Sequence, residues 1–193
     1  MTQESAKTAV DEVFSLYENY GAEDYIGEPV SQVEHMSQAA QLAETEGYDD
    51  EVVLAAFFHD IGHLCEHIMD TKQMDGYGVV DHEKLGYDYL RQKGFSEKIA
   101  KLVESHVSAK RYLTWKYPDY FNKLSEASKK TLEKQGGVMS DKEAAMFEAD
   151  QFHPLYIKLR EWDDKAKIEH VPLPPMQKYK DIAVHHLMLQ SQS

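Results

Sequence analysis

The sequence predicts an all-α protein, and two observations carry that reading. Helix start and stop signals recur along the chain while alternating strand patterns do not. In addition, His35, the adjacent pair His59-Asp60, His82, His106 and Asp163 form an ordered set of ionisable residues. They are separated by steps of 24, 22, 24 and 57 residues, each long enough to put the next member on a different helix. Sites of this kind are built between the facing helices of a bundle.

The elements follow in order. A first amphipathic helix is predicted over residues 6–20, with Val10, Val13, Phe14 and Tyr17 at three- and four-residue steps, and Gly21 ends it. Residues 24–29 read as an irregular loop. Ser31 and Glu34 form a capping box, so His35 falls in the first turns of a helix that runs to about Glu46 and stops at Gly47. Asp49 or Asp50 caps the next helix. Residues 54–63, LAAFFHDIGH, read as a near-continuous apolar helical run ending in ionisable groups, which need partners or metal when buried. Asp75, Gly76, Tyr77 and Gly78 make a turn, after which Asp81 is expected to cap a helix that carries His82 and ends near Gly94.

Ser96 opens the helix of His106, which continues toward Tyr112. A short helix starts at Ser125 and stops at Gly136-Gly137, and Ser140 with Glu143 makes another capping box. Pro154 suits the first turn of a helix through Trp162-Asp163-Asp164. Prolines 172, 174 and 175 precede a terminal helix over about 176–189. There is no internal repeat and no linker, so residues 1–193 read as one domain.

Composition narrows the function classes. A net charge of −13 argues against a nucleic-acid partner, because backbone phosphates need a basic surface; an anionic small substrate would need a locally basic pocket. The single cysteine, Cys65, lies among apolar residues and reads as a small buried hydrophobe in a reducing compartment. No apolar stretch is of membrane-spanning length, and the N-terminus lacks a signal-peptide pattern, so a cytoplasmic protein with no membrane partner is expected.

Imidazole and carboxylate ligands without thiolates suit iron, manganese, zinc or nickel, and a His-Asp pair lets one carboxylate bridge two ions while its neighbour ligates one. Each residue also has a plainer reading. His-Asp dipeptides occur by chance, and ten histidines are present. Tyr25 and Glu28 suit an ordinary turn, Lys110 a solvated surface, and Ser128 and Thr131 the exposed face of a helix. Helical spacing nevertheless sets His63 beside His59 and Asp60, Lys110 on the face of His106, and Ser128 beside Thr131. Together a lysine, a histidine and two hydroxyls are the donors a tetrahedral dianion needs.

The ordered set resembles the HD-domain superfamily, and His82 and His106 resemble the additions of its two-metal members. Most of the superfamily resembles phosphohydrolases; one branch resembles diiron oxygenases. This chain is similar to the phosphonate-cleaving, PhnZ-type oxygenases over nearly its whole length. The matching segments are Asp24-Tyr25-Ile26-Gly27-Glu28, His59-Asp60-Ile61-Gly62-His63, Gly76-Tyr77-Gly78-Val79, Ala109-Lys110-Arg111-Tyr112-Leu113 and residues 127–133. Pro29 and residues 65–75 match less closely.

The resemblance implies two iron ions in a mixed-valent Fe(II)/Fe(III) state and O2 as co-substrate. It implies that His35, His59 and Asp163 hold one iron, that His82 and His106 hold the other, and that Asp60 bridges. His63, Lys110, Ser128 and Thr131 would hold the phosphonate, and Glu28 would face the amino end of the substrate. Tyr25 would close onto the second iron when substrate is absent, and Asp60 and His63 would act in catalysis. The implied reaction is cleavage of the carbon–phosphorus bond of the small organophosphonate 1-hydroxy-2-aminoethylphosphonate, or of its N-trimethylated analogue, to phosphate and glycine or glycine betaine. A metal-dependent phosphohydrolase of a nucleotide or phosphate monoester is the alternative; a degenerate ligand-binding HD domain is a third.

Overall fold

A computed structural model describes residues 2–25 and 27–191. The described residues form eleven α-helices and one 3₁₀ turn, and no strand beyond two isolated bridges. The helices are α1 (Gln3–Tyr20), α2 (Gln32–Thr45), α3 (Asp50–Phe58), α4 (Ile61–Leu64), α5 (His82–Gln92), α6 (Glu97–Lys116), α7 (Tyr120–Lys123), α8 (Glu126–Lys134), α9 (Asp141–Ala149), α10 (His153–Lys165) and α11 (Met176–Gln190); the 3₁₀ turn is Cys65–His67. The all-α expectation therefore holds.

Most of the predicted caps are present. Ser31 and Ser140 form reciprocal capping boxes with Glu34 and Glu143, and Asp49, Ser96 and Ser125 each accept a backbone N–H of the following turn. The first helix starts earlier than its apolar periodicity indicates, because Thr2 and Ser5 make a third capping box. The short helix α7 carries no periodic signal.

Asp81 departs from expectation. Its backbone is left-handed, at φ 54°, and its side chain caps nothing. The capping geometry needs the extended backbone seen at Thr2, Ser31 and Ser96. The Asp81 carbonyl instead receives the N–H groups of Lys84 and Leu85.

The core explains where the site sits. Residues 52–58 of α3 are all buried, so this helix is apolar all round and lies inside the bundle. It packs against α2, α6, α10 and α11. Phe57 stacks on Phe14 of α1, and Phe58 meets Phe95 edge-on. The same hydrophobic cluster runs from Ala6 to Leu187. Cys65 lies in it, fully buried, as expected. No helix among the described residues is long and apolar enough to cross a membrane.

The HD segment is where the sequence reading needs its main correction. Residues 54–63 do not form one helix: α3 ends at Phe58, Asp60 adopts φ −107° and ψ 13°, and α4 restarts at Ile61. The break turns His59 and Asp60 out of the apolar run toward the centre of the bundle. It also removes the basis for placing His63 one helical turn from His59. Gly62 then lets α4 press against α5, since a Cβ there would lie 1.8 Å from the carbonyl oxygen of His82.

A candidate dinuclear metal centre

Four helices and the α3–α4 break bring the six residues together. His35 comes from α2, His59 and Asp60 from the break, His82 from the start of α5, His106 from α6 and Asp163 from α10. All six are almost fully buried. They form two clusters, each compact enough to hold an ion: His35, His59 and Asp163 in one, and Asp60, His82 and His106 in the other.

The backbone fixes the tautomers. Each of the four histidines directs Nδ1 at a carbonyl oxygen, that of Ala166 (His35, 2.8 Å), Ala56 (His59, 2.8 Å), Val79 (His82, 3.2 Å) and Val103 (His106, 2.8 Å). A carbonyl only accepts, so in the neutral rings Nδ1 carries the proton and Nε2 presents a lone pair inward. Burial pushes His59 down to about 4, which keeps it neutral, the form that ligates.

Those lone pairs face one another. Nε2 of His35 lies 3.0 Å from Nε2 of His59, and Nε2 of His82 lies 2.9 Å from Nε2 of His106. While both rings of a pair are neutral they have no proton to share, and a cation, a metal ion or one added proton, relieves each; burial opposes the charged ring of His106, but the hydrogen bond to Asp60 and the charge of that carboxylate raise it above its ordinary value. Two imidazole nitrogens 3.0 Å apart, each at about 2.1 Å from one ion, would subtend roughly 90°, the cis angle of an octahedral site.

The carboxylates complete the pattern. Asp60 directs Oδ2 at the first cluster, 3.6 Å from His35 and 3.5 Å from His59. Its Oδ1 faces the second, 3.5 Å from His82 and 3.2 Å from His106. Asp163 Oδ2 is paired with the buried Arg160 at 2.6 Å, whereas Oδ1 is buried without a hydrogen-bond partner, 3.4 Å from the unprotonated Nε2 of His35. An orphaned carboxylate oxygen beside two converging lone pairs fits a metal ion, and the nitrogen–oxygen donor set suits iron.

A small cavity, about 60 Å³, opens on both clusters. The sequence-selected residues Tyr25, Glu28, His63, Lys110, Ser128 and Thr131 all line it. Lys110 is buried, not solvated, and donates to the Thr131 hydroxyl at 2.8 Å, which in turn donates to the Ser128 carbonyl at 3.2 Å. Burial, aided by Arg160, lowers the Lys110 ammonium to about 7. His63 stacks on His82 at 3.9 Å, and its Nδ1 accepts the Val79 N–H at 3.1 Å, so the neutral ring carries its proton on Nε2. Gly78 makes room for that ring, at φ 90° and with a virtual Cβ 2.4 Å from the His63 imidazole.

Tyr25 stacks on His35 at 4.0 Å, and burial with the neighbouring Asp60 holds its hydroxyl protonated. Ile26, the central residue of the Asp24–Glu28 motif, lies outside the described residues.

Two charged residues escaped the sequence reading. Arg160 lines the cavity, ties Asp163 to Asp164, and approaches the Ser128 hydroxyl at 3.5 Å. Its position one turn before Asp163 on α10 was a usable signal. Lys167 pairs with Glu28 at 2.7 Å from the far end of the sequence; no local pattern announces it.

Comparison with known proteins agrees with this geometry. Residues 33–155 match the HD domain family. The chain is 44% identical to an uncharacterised protein of Acanthamoeba polyphaga mimivirus, over 92% of this chain and 81% of that protein. It is 39% identical to the hydroxymethylphosphonate dioxygenase of Gimesia maris, over 88% of this chain and 84% of the relative. It is also 38% identical to a glycine-betaine-forming dioxygenase of 1-hydroxy-2-(trimethylamino)ethylphosphonate from Leisingera caerulea, over 86% and 83%. The chain is thus an HD-domain enzyme of the phosphonate dioxygenase family.

Proposed function

We propose that this protein cleaves the carbon–phosphorus bond of a small 1-hydroxyphosphonate, consuming O2 and releasing phosphate and a carboxylate. The observation that carries the reading is one small cavity in which a buried anion-binding group, Lys110 with Ser128, Thr131 and Arg160, stands against two facing His/Asp clusters. Relatives named for hydroxymethylphosphonate and for a trimethylamino-substituted hydroxyethylphosphonate support the substrate class. The 1-hydroxy-2-aminoethylphosphonate expected from the sequence belongs to the same class.

In this reading His35, His59 and Asp163 hold one iron, His82 and His106 hold the other, and Asp60 bridges them. When bound, the two ions supply the redox capacity to use O2. The protein's part is placement. Lys110, which a neighbouring phosphonate dianion would keep protonated against the pull of burial, and the Thr131 and Ser128 hydroxyls face the phosphonate oxygens, and charge-assisted contacts of this kind are the strong ones. The His63 ring, locked by Val79 and His82, presents its Nε2 proton to the same group. Arg160 adds positive charge and holds Asp163 in its orientation. An overall acidic protein thereby gains one local site for a dianion.

The reaction balances without a further reductant. Hydroxymethylphosphonate dianion plus O2 gives formate plus dihydrogen phosphate, the carbon being oxidised and both atoms of O2 appearing in the products. The test is anaerobic reconstitution with iron, followed by phosphate assay on candidate 1-hydroxyphosphonates in air and under argon. Phosphate formed only in air is expected. Equal release under argon would replace the oxygenase with a metal-dependent phosphohydrolase.

A further inference from the structure

Among the described residues, Glu28 is the one carboxylate lining the cavity that belongs to neither His/Asp cluster. A substrate carrying a positive charge on its tail would find in it the one counter-charge outside the clusters, beside the uncharged acceptors Gln32 Oε1 and Gln135 Oε1 and the rings of Tyr25 and Tyr77. Its charge, however, is already taken: Nζ of Lys167 lies 2.7 Å from Oε1 of Glu28, with the two side chains 13% and 8% exposed. Lys167 follows the last turn of α10 and does not itself line the cavity. Its ammonium also stands 5.9 Å from the ring centre of Tyr25, the neighbouring wall of the site.

Resting on the proposed function, we infer that Lys167 is the specificity-determining residue of this site, restricting it to 1-hydroxyphosphonates with an uncharged tail. Two effects act in the same direction. An ammonium or trimethylammonium tail would have to displace Lys167 from a nearly buried ion pair, and an unpaired buried charge is costly. If Lys167 stays, the tail meets a neutralised carboxylate backed by a second cation and gains no net ionic attraction there. Hydroxymethylphosphonate is the simplest molecule of the class, and 1-hydroxyethylphosphonate the next.

The sequence-derived expectation is that Glu28 faces the amino end of the substrate; with Lys167 beside it, we propose a different role. The residue does line the cavity, but its partner is within the chain.

The experiment compares kcat/KM for hydroxymethylphosphonate, 1-hydroxy-2-aminoethylphosphonate and its N-trimethylated analogue on the iron-loaded full chain, for wild type, Lys167→Met and Lys167→Gln. The ratio between substrates is the readout, because it is independent of how much of a variant is folded or metal-loaded. Wild type is expected to favour hydroxymethylphosphonate by about tenfold or more, the scale on which a buried charge pair discriminates. Both variants are expected to shift the ratio toward the amine-bearing substrates by a similar factor, since a bare Glu28 then has an ammonium to gain. Wild-type preference for either amine-bearing substrate would overturn the role of Lys167 while leaving the proposed function intact; that result needs no variant. An unshifted ratio in both variants would overturn it too. Failure to release phosphate from any of the three would overturn the proposed function, and this inference with it.

Discussion

Replacing Asp60 by alanine separates a bridging carboxylate from one that merely balances charge. The second cluster consists of Asp60, His82 and His106, so the variant leaves it two neutral imidazoles and no anion. The first cluster keeps His35, His59 and Asp163, and loses only the Asp60 oxygen 3.5–3.6 Å away. Removing a group that merely orients a ligand already lowers metal affinity about 10- to 100-fold, or ~1.4–2.7 kcal/mol, and removing a ligand and its charge exceeds that. Metal content is therefore expected to fall from two ions per chain to one or fewer, with the second cluster emptied first. Elemental analysis after iron loading and desalting provides the count; far-UV circular dichroism checks the fold, and Asp60→Asn controls for volume. His63→Ala should retain both ions. Two ions per chain in Asp60→Ala would refute the bridging assignment.

Other expectations follow from single contacts. Lys110→Ala should lower kcat/KM by roughly 30- to 150-fold, the equivalent of about 2–3 kcal/mol for a lost charge-assisted contact; an unchanged value in steady-state kinetics would take Lys110 out of the substrate site. Gly62→Ala drives a Cβ into the His82 carbonyl, so it should lower stability by about 1–3 kcal/mol in urea unfolding and weaken metal binding at His82. Burial pushes the Cys65 thiol up to about 12, so the reactive thiolate becomes appreciable only as pH rises toward that value. Native protein should accordingly resist iodoacetamide at pH 8.5 and react once unfolded in guanidinium; rapid native labelling would contradict the packing of the core around α4.

The two His/Asp clusters were legible because their members carry local context. The capping box at Ser31 fixes the phase of His35, and the apolar run of α3 leads the chain into the centre before His59 and Asp60. What propensity could not resolve was the break itself. Nothing in LAAFFHDIGH disfavours a continuous helix strongly enough to predict that tertiary packing would interrupt it, and the position of His63 changed as a result. Arg160 could have been found, since an arginine one turn before a buried aspartate is a local pattern. Lys167 could not, because its partner lies 139 residues away in sequence and only the folded chain brings the α1–α2 loop against the end of α10. The left-handed backbone at Asp81 was likewise not announced, since the residue reads locally as an ordinary cap and aspartate tolerates either conformation.

The central claim is that the two clusters and the anion pocket together run an oxidative cleavage of a phosphonate. Simultaneous measurement of O2 uptake with an electrode and of phosphate release, by iron-loaded protein acting on hydroxymethylphosphonate, tests it most directly. The account predicts one O2 consumed for each phosphate formed, with formate in equal amount. Phosphate released with no O2 consumed would contradict it.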